Sequence, residues 1–113
     1  MIEVYHNNSC SKSRNAVDIL NEKGIDFSIR NYIDQPLNLD EIQRLHQLLN
    51  VPFIDMVRTD EPVYNKLFGS TTPMENELQQ ALVQHPVLLQ RPIVVNGEKA
   101  VIARPPERVL EVI

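Results

Sequence analysis

The hydrophobic residues of this 113-residue chain change their spacing several times, and the order of these changes limits the folds that it can form. Residues 1–5 are a short apolar segment that predicts a strand. Apolar residues at 16–20 then recur at helical spacing, up to a plausible stop at Gly24. Residues 25–29 alternate between apolar and polar, which is typical of a second strand. This part of the chain therefore predicts a β-α-β unit with parallel strands and a right-handed crossover.

The middle of the chain has helical patterns only. A capping-box pattern that begins at Asn38 predicts a helix to residue 49. Residues 53–57 predict one short helical turn. A third helix is predicted over residues 72–85, with Thr72 as its N-cap and Pro86 beyond its end.

The end of the chain returns to strand patterns. Residues 93–95 are a short apolar run, and Asn96-Gly97 is the strongest short-range signal for a hairpin. Residues 100–103 predict the partner strand. Residues 104–113 predict a last helix, with Val109, Leu110 and Ile113 as its apolar positions.

The complete order is β-α-β, a helical insertion and then β-β-α. By analogy this is the order of the α/β thioredoxin-like fold, a four-stranded mixed sheet that carries helices. The length predicts one domain over residues 1–113, with the insertion at about 36–90.

Composition excludes several classes of protein. The net charge of −4 disfavours nucleic-acid binding, and no segment approaches the ~20 apolar residues of a membrane span. A single cysteine excludes an internal disulfide and a cysteine-rich zinc site, and the three histidines lack metal-ligand spacing. We therefore expect a cytoplasmic protein without a bound metal.

The single cysteine, Cys10, lies in the segment YHNNSCSKSRN between the first predicted strand and helix. Free N–H groups and a partial positive charge at a helix N-terminus can lower a thiol pKa from about 8.5 to roughly 3.5–7.5. Lys12 and Arg14 add positive charge. An inert side chain in the core is the alternative, but Ser9 and Ser11 flank Cys10 instead of apolar residues.

Two residues near Cys10 in the sequence each have two alternative roles. Ser13 completes a C-x-x-S motif, so a second thiol must come from another molecule. Its hydroxyl could donate to a sulfur anion or an oxyanion, or could cap the helix. His6 could tune the thiol, or could bond to backbone at the end of a strand.

Four segments together resemble the glutaredoxin-coupled arsenate reductases. YHNNSCSKSRNAVDIL is similar to the family's active-site loop, typically Y-H-N-P-x-C-x-x-S-R-N. The other three segments are VRTDEPVY, HPVLLQRPIVV and ARPPERVLEVI, and the resemblance covers essentially the whole chain in order. Asn8 stands where proline is usual, and Ser11-Lys12 replaces a common Gly-Thr, which bears on substrate identity.

The resemblance implies that Cys10 is a nucleophile and that Arg58, Arg91 and Arg104 bind arsenate. Guanidinium groups keep their charge and bind tetrahedral oxyanions bidentately. For Arg58 and Arg104, a solvated surface charge is the alternative. The resemblance also implies that Pro92 is the cis-proline that faces the active cysteine.

The implied activity is reduction of arsenate to arsenite through an arsenylated cysteine. Glutathione is then a co-substrate, glutaredoxin a partner, and no cofactor stays bound. A sister group with this fold binds RNA polymerase and usually carries C-x-x-C, whereas Ser13, Arg58 and Arg104 favour the reductase. A family member with another thiol-linked substrate is a third interpretation.

Overall fold

The computed structural model describes residues 2–7 and 11–113, without the side chain of Lys12. The chain divides into two compact units. The first is formed by residues 1–35 and 91–113, and the second by residues 36–90.

A mixed four-stranded sheet forms the centre of the first unit. The strand order is β2-β1-β3-β4, with β1 parallel to β2 and antiparallel to β3, and β3 antiparallel to β4. This topology confirms the fold class predicted from the order of patterns. The elements are β1 (Ile2–His6), α1 (Ser11–Glu22), β2 (Phe27–Asn31), β3 (Ile93–Asn96), β4 (Lys99–Ile102) and a 3-10 helix (Pro106–Glu111).

The core of the first unit joins the two ends of the sequence. Val4 of β1 pairs with Val94 of β3, which pairs in turn with Val101 of β4. Residues directly opposite each other in a sheet point to the same face, so these valines form one apolar surface. Helix α1 and the 3-10 helix contribute the rest of this cluster, through Ala16, Leu20, Val109 and Val112.

Gly24 ends α1 as the sequence predicts. The N–H of Ile25 donates to the carbonyl of Leu20 at 3.2 Å, and the N–H of Gly24 donates to Asn21 at 3.0 Å. This pair of bonds is the Schellman motif, which requires a left-handed residue at the position of Gly24. Its φ of 66° meets that requirement.

The β3–β4 hairpin is confirmed, but its turn lies one residue later than predicted. Asn96 pairs with Lys99, so Gly97 and Glu98 are the two central residues. Gly97 has a φ of 62°, as the first central residue of a type II′ turn requires. The side chain of Asn96 instead donates to the carbonyl of Val112 at 2.7 Å.

The predicted C-terminal α-helix is wrong, because residues Pro106–Glu111 form a 3-10 helix. Its bonds span three residues, as in the donation from Val112 N–H to Val109 at 3.2 Å. Three residues per turn bury Val109 and Val112 on one side. Leu110 and Ile113, the other apolar positions of the predicted helix, are exposed.

The second unit consists of helices and one isolated bridge between Val57 and Leu89. The capping box predicted at Asn38 is confirmed. Glu41 N–H donates to Asn38 Oδ1 at 2.9 Å, and Asn38 N–H donates to Glu41 Oε1 at 3.1 Å. The helices are α2 (Leu39–Leu49), α3 (Pro62–Phe68), α4 (Glu75–Gln84) and two 3-10 helices (Phe53–Met56 and Pro86–Leu88).

Two features of the second unit differ from the prediction. Helix α4 begins at Glu75, with Met74 and not Thr72 at its N-cap. The carboxylate of Glu77 accepts the N–H of Met74 at 2.9 Å, so the acidic residue that stabilises the helix start lies two positions after Glu75. The sequence did not predict α3, because this seven-residue helix buries none of its residues and so has no apolar stripe.

Leu20→Ala should lower the free energy of unfolding by roughly 2–5 kcal/mol, since the wild-type side chain is completely buried in the cluster above. Leu110→Ala is the matched control, because that leucine is 47% exposed, and it should change stability by less than about 1 kcal/mol. Urea unfolding of both variants measures the difference. Equal losses would contradict the assignment of the core.

Candidate active site

One edge of the sheet in the first unit brings together several residues that the sequence singles out. Tyr5 pairs with Ile93, and Ile93 pairs with Ile102. The end of β1, the start of β3 and the end of β4 therefore lie side by side. His6, the Arg91-Pro92 segment and Arg104 are all within two residues of these strand ends.

Helix α1 begins at this edge, directly after Cys10. Its first residue is Ser11, and its first turn contains no acidic side chain. The helix N-terminus therefore keeps its partial positive charge, with no carboxylate in that turn to offset it. Cys10 itself lies outside the described residues, so its role and its thiol pKa stay predictions.

Ser13 connects the start of α1 to the end of β1. It is the third residue of the helix and is fully buried. Its Oγ accepts the backbone N–H of Asn7 at 3.5 Å. Ser13 therefore does not occupy the N-cap position, and its own hydroxyl proton is not used in that bond. His6, at the end of β1, is also buried.

Arg91 is half-buried and has an unusual side chain. Its Nε and Nη1 atoms are shielded from solvent, yet neither has a hydrogen-bond partner among residues 2–7 and 11–113. A desolvated cation without a partner is costly, whereas an anion that accepts from these donors would remove the cost. This feature is the strongest sign of an anion site in the first unit.

The peptide bond between Arg91 and Pro92 is cis, as the resemblance implies. Pro92 is buried, and its carbonyl accepts the N–H of Ala103 at 2.9 Å. That bond sets the backbone of Ala103 and Arg104 beside the Arg91-Pro92 segment. Arg104 is half-buried and so is not a fully solvated surface charge.

Arg58 belongs to the second unit. Its backbone N–H donates to the carbonyl of Leu88 at 2.7 Å, next to the Val57–Leu89 bridge. Its side chain is only 14% exposed and forms an ion pair with Glu61. The interpretation of Arg58 as a solvated surface charge is therefore wrong.

Sequence reasoning missed Glu61 as the partner of Arg58. The signal was present in the segment RTDE, because opposite charges three residues apart can meet across a turn. This spacing alone did not predict a buried pair, because most ion pairs of this kind are exposed and contribute little to stability.

The remaining candidate residues lie on α1. Lys12 and Arg14 are its second and fourth residues, and Arg14 is exposed. The side chain of Lys12 lies outside the described part of the structure. Among residues 2–7 and 11–113, no group of three or more potential metal ligands is close enough to hold an ion. In the same residues, no helix is both long and apolar enough to cross a membrane.

Comparison with known proteins identifies relatives over the whole chain. An arsenate reductase of Haemophilus influenzae is 38% identical over 112 residues, which cover 97% of each chain. An uncharacterized protein of Escherichia coli is 36% identical over 99% of this chain and 96% of its own. A solved structure of an arsenate reductase from Vibrio cholerae is 36% identical, with a TM-score of 0.94 over 99% of this chain and 97% of its own.

The close match to this solved structure agrees with the mixed sheet of the first unit and confirms the predicted fold class. The ArsC family model matches residues 5–112. This chain therefore belongs to the ArsC family.

Proposed function

We propose that this protein is an oxidoreductase that reduces arsenate to arsenite, with Cys10 as its nucleophile. Arg58, Arg91 and Arg104 bind the oxyanion. The observation that carries the proposal is a pair of buried Arg91 nitrogens that have no hydrogen-bond partner among the described residues. They lie at the edge of the sheet where α1 begins. The relatives named arsenate reductase support the choice of arsenic oxyanion.

The reaction begins when the Cys10 thiolate attacks arsenic. A sulfur–arsenic bond forms, an arsenic–oxygen bond breaks, and the oxygen leaves as water after protonation. Glutathione then adds its sulfur to the same arsenic, and a second arsenic–oxygen bond breaks as that oxygen leaves as water. A glutaredoxin thiolate attacks the glutathione sulfur, the bond between that sulfur and arsenic breaks with its electron pair left on arsenic, and a glutaredoxin–glutathione disulfide forms. Hydrolysis of the remaining sulfur–arsenic bond releases arsenite and regenerates Cys10. Covalent catalysis of this kind divides a difficult reduction into easier steps.

The surroundings of Cys10 assist the attack in three ways. The N-terminus of α1 favours an anion, whether it is the thiolate or the oxygen of the substrate. The arginines lower the repulsion between the thiolate and a multiply charged substrate. We also propose the hydroxyl of the buried Ser13, whose Oγ accepts the N–H of Asn7, as a further donor.

The single cysteine implies that an external thiol supplies the electrons. Because Ser13 stands where a second thiol would complete C-x-x-C, the chain cannot form an internal disulfide. We propose glutathione as co-substrate and glutaredoxin as protein partner, with no cofactor bound. Both are characteristic of a reducing cytosol, which is the proposed location.

A coupled assay tests this function and separates the thiol donors. Oxidation of NADPH is followed after addition of arsenate, with glutathione, glutaredoxin and glutathione reductase present. The matched assay contains thioredoxin and thioredoxin reductase. Arsenate-dependent oxidation should occur in the first assay alone. Oxidation in the second assay alone would identify thioredoxin, instead of glutathione and glutaredoxin, as the electron donor.

A different thiol-linked substrate is the second candidate. It is favoured by Asn8 and Ser11-Lys12, where this chain departs from the family's usual residues. Absence of arsenate turnover, combined with a rapidly alkylated Cys10, would favour it. Binding to RNA polymerase is disfavoured by Ser13, since that group usually carries a second cysteine there.

Cys10→Ser should abolish arsenate reduction, because a serine hydroxyl is a far weaker nucleophile near neutral pH than a thiolate. The coupled assay measures turnover, and thermal unfolding checks that the fold is retained. Retained turnover would end the mechanism, since the chain has no other thiol.

Arg91→Ala should weaken arsenate binding by roughly 10- to 100-fold, the effect of losing charge-assisted hydrogen bonds. Stability should change little, because the wild-type Nε and Nη1 form no hydrogen bond with the described residues. Arg108→Ala is the control, since that arginine is exposed and paired with Glu111, and it should bind arsenate normally. Titration calorimetry and thermal unfolding report the two effects. A loss of stability in step with binding would favour a structural role for Arg91.

A further inference from the structure

Residues Arg58 and Glu61 form the two ends of a β-turn and are joined twice. The N–H of Glu61 donates to the carbonyl of Arg58 at 3.2 Å. In addition, Nη1 of Arg58 donates to Oε1 of Glu61. The side chains of the two residues are 14% and 20% exposed, respectively. The positive charge of Arg58 is therefore partly neutralised within the fold.

Both ends of this turn are anchored. The N–H of Arg58 donates to Leu88 at 2.7 Å, and the carbonyl of Glu61 accepts the N–H of Tyr64 at 3.0 Å at the start of α3. An anion that binds Arg58 must consequently do so beside the carboxylate of Glu61.

A second ion pair in the chain shows that this one is not an ordinary surface pair. Arg108 and Glu111 have the same spacing, with an Nε–Oε2 distance of 3.0 Å, but their side chains are 45% and 55% exposed. Solvent and salt screen an exposed pair strongly, whereas partly buried charges are screened much less. The carboxylate of Glu61 thus acts on whatever Arg58 binds.

We propose that Glu61 makes Arg58 select proton-bearing oxyanions over fully deprotonated ones. This inference rests on the proposed role of Arg58 in binding arsenate. Only Oε1 of Glu61 contacts Arg58, and among residues 2–7 and 11–113 no hydrogen bond involves Oε2. Arsenate keeps at least one O–H group at neutral pH and can donate it to a carboxylate. Sulfate has no proton to donate, so the same carboxylate repels it.

Glu61→Gln tests the selection, because glutamine keeps the size and one acceptor oxygen, replaces the other oxygen with an NH2 group and removes the charge. Sulfate and arsenate are each titrated into the full chain by calorimetry at neutral pH. Sulfate should bind roughly tenfold more tightly to the variant, as expected for loss of one partly screened charge a few ångströms away. Arsenate should gain less than about threefold, because it loses an acceptor for its proton.

Glu61→Ala is a second neutral variant and should shift the ratio of sulfate to arsenate affinity in the same direction. Glu61→Asp keeps the charge and should retain the discrimination against sulfate. Glu111→Gln removes the exposed carboxylate of the control pair and should leave both affinities unchanged. A change in stability alone would not alter the ratio.

Arg58→Ala separates this inference from the proposed function. The variant should weaken arsenate binding, and adding Glu61→Gln to it should produce no further change in the ratio. If Arg58→Ala weakens arsenate binding but both neutral Glu61 variants keep the wild-type ratio, the inference is overturned and the proposed function stands. If Arg58→Ala leaves arsenate binding unchanged, the role of Arg58 in the proposed function falls together with the inference.

Discussion

The antiparallel pairing of β1 with β3 is the interaction on which the first unit depends. It joins Val4 to Val94 across most of the length of the chain. Closing so long a loop costs chain entropy. Burial of the paired valines against α1 and the C-terminal 3-10 helix offsets that cost. The same pairing sets the end of β1 beside Arg91-Pro92. Core packing and the candidate anion site therefore depend on one register.

The arginines proposed to bind the oxyanion differ in how their charge is balanced. Arg91 has buried donors that no described residue accepts from, so an anion that accepted from them would remove the cost of their desolvation. Arg58 already has Glu61 as a counter-charge. Both differences matter because charges that are mostly shielded from water are weakly screened.

Local patterns predicted this structure well where one short-range rule dominates. The capping box at Asn38 and the Schellman end at Gly24 both depend on residues within one helical turn, so the sequence alone identifies them. The predictions were wrong where two alternative local structures are both compatible with the sequence. Met74 replaced Thr72 as an N-cap, and a 3-10 helix replaced an α-helix near Val109, because these choices depend on which residues the core accepts.

The sequence by itself determined the order of the four strands, the place of Cys10 just before a helix, and the arginines that the family resemblance singled out. These follow from periodicity and from motifs, which require no knowledge of distant contacts. Only the tertiary structure decided the burial of the Arg91 nitrogens and the enclosure of the Arg58–Glu61 pair. Burial depends on residues that are remote in sequence. A motif therefore identifies a charged residue, but it does not reveal whether the folded protein already supplies a counter-charge.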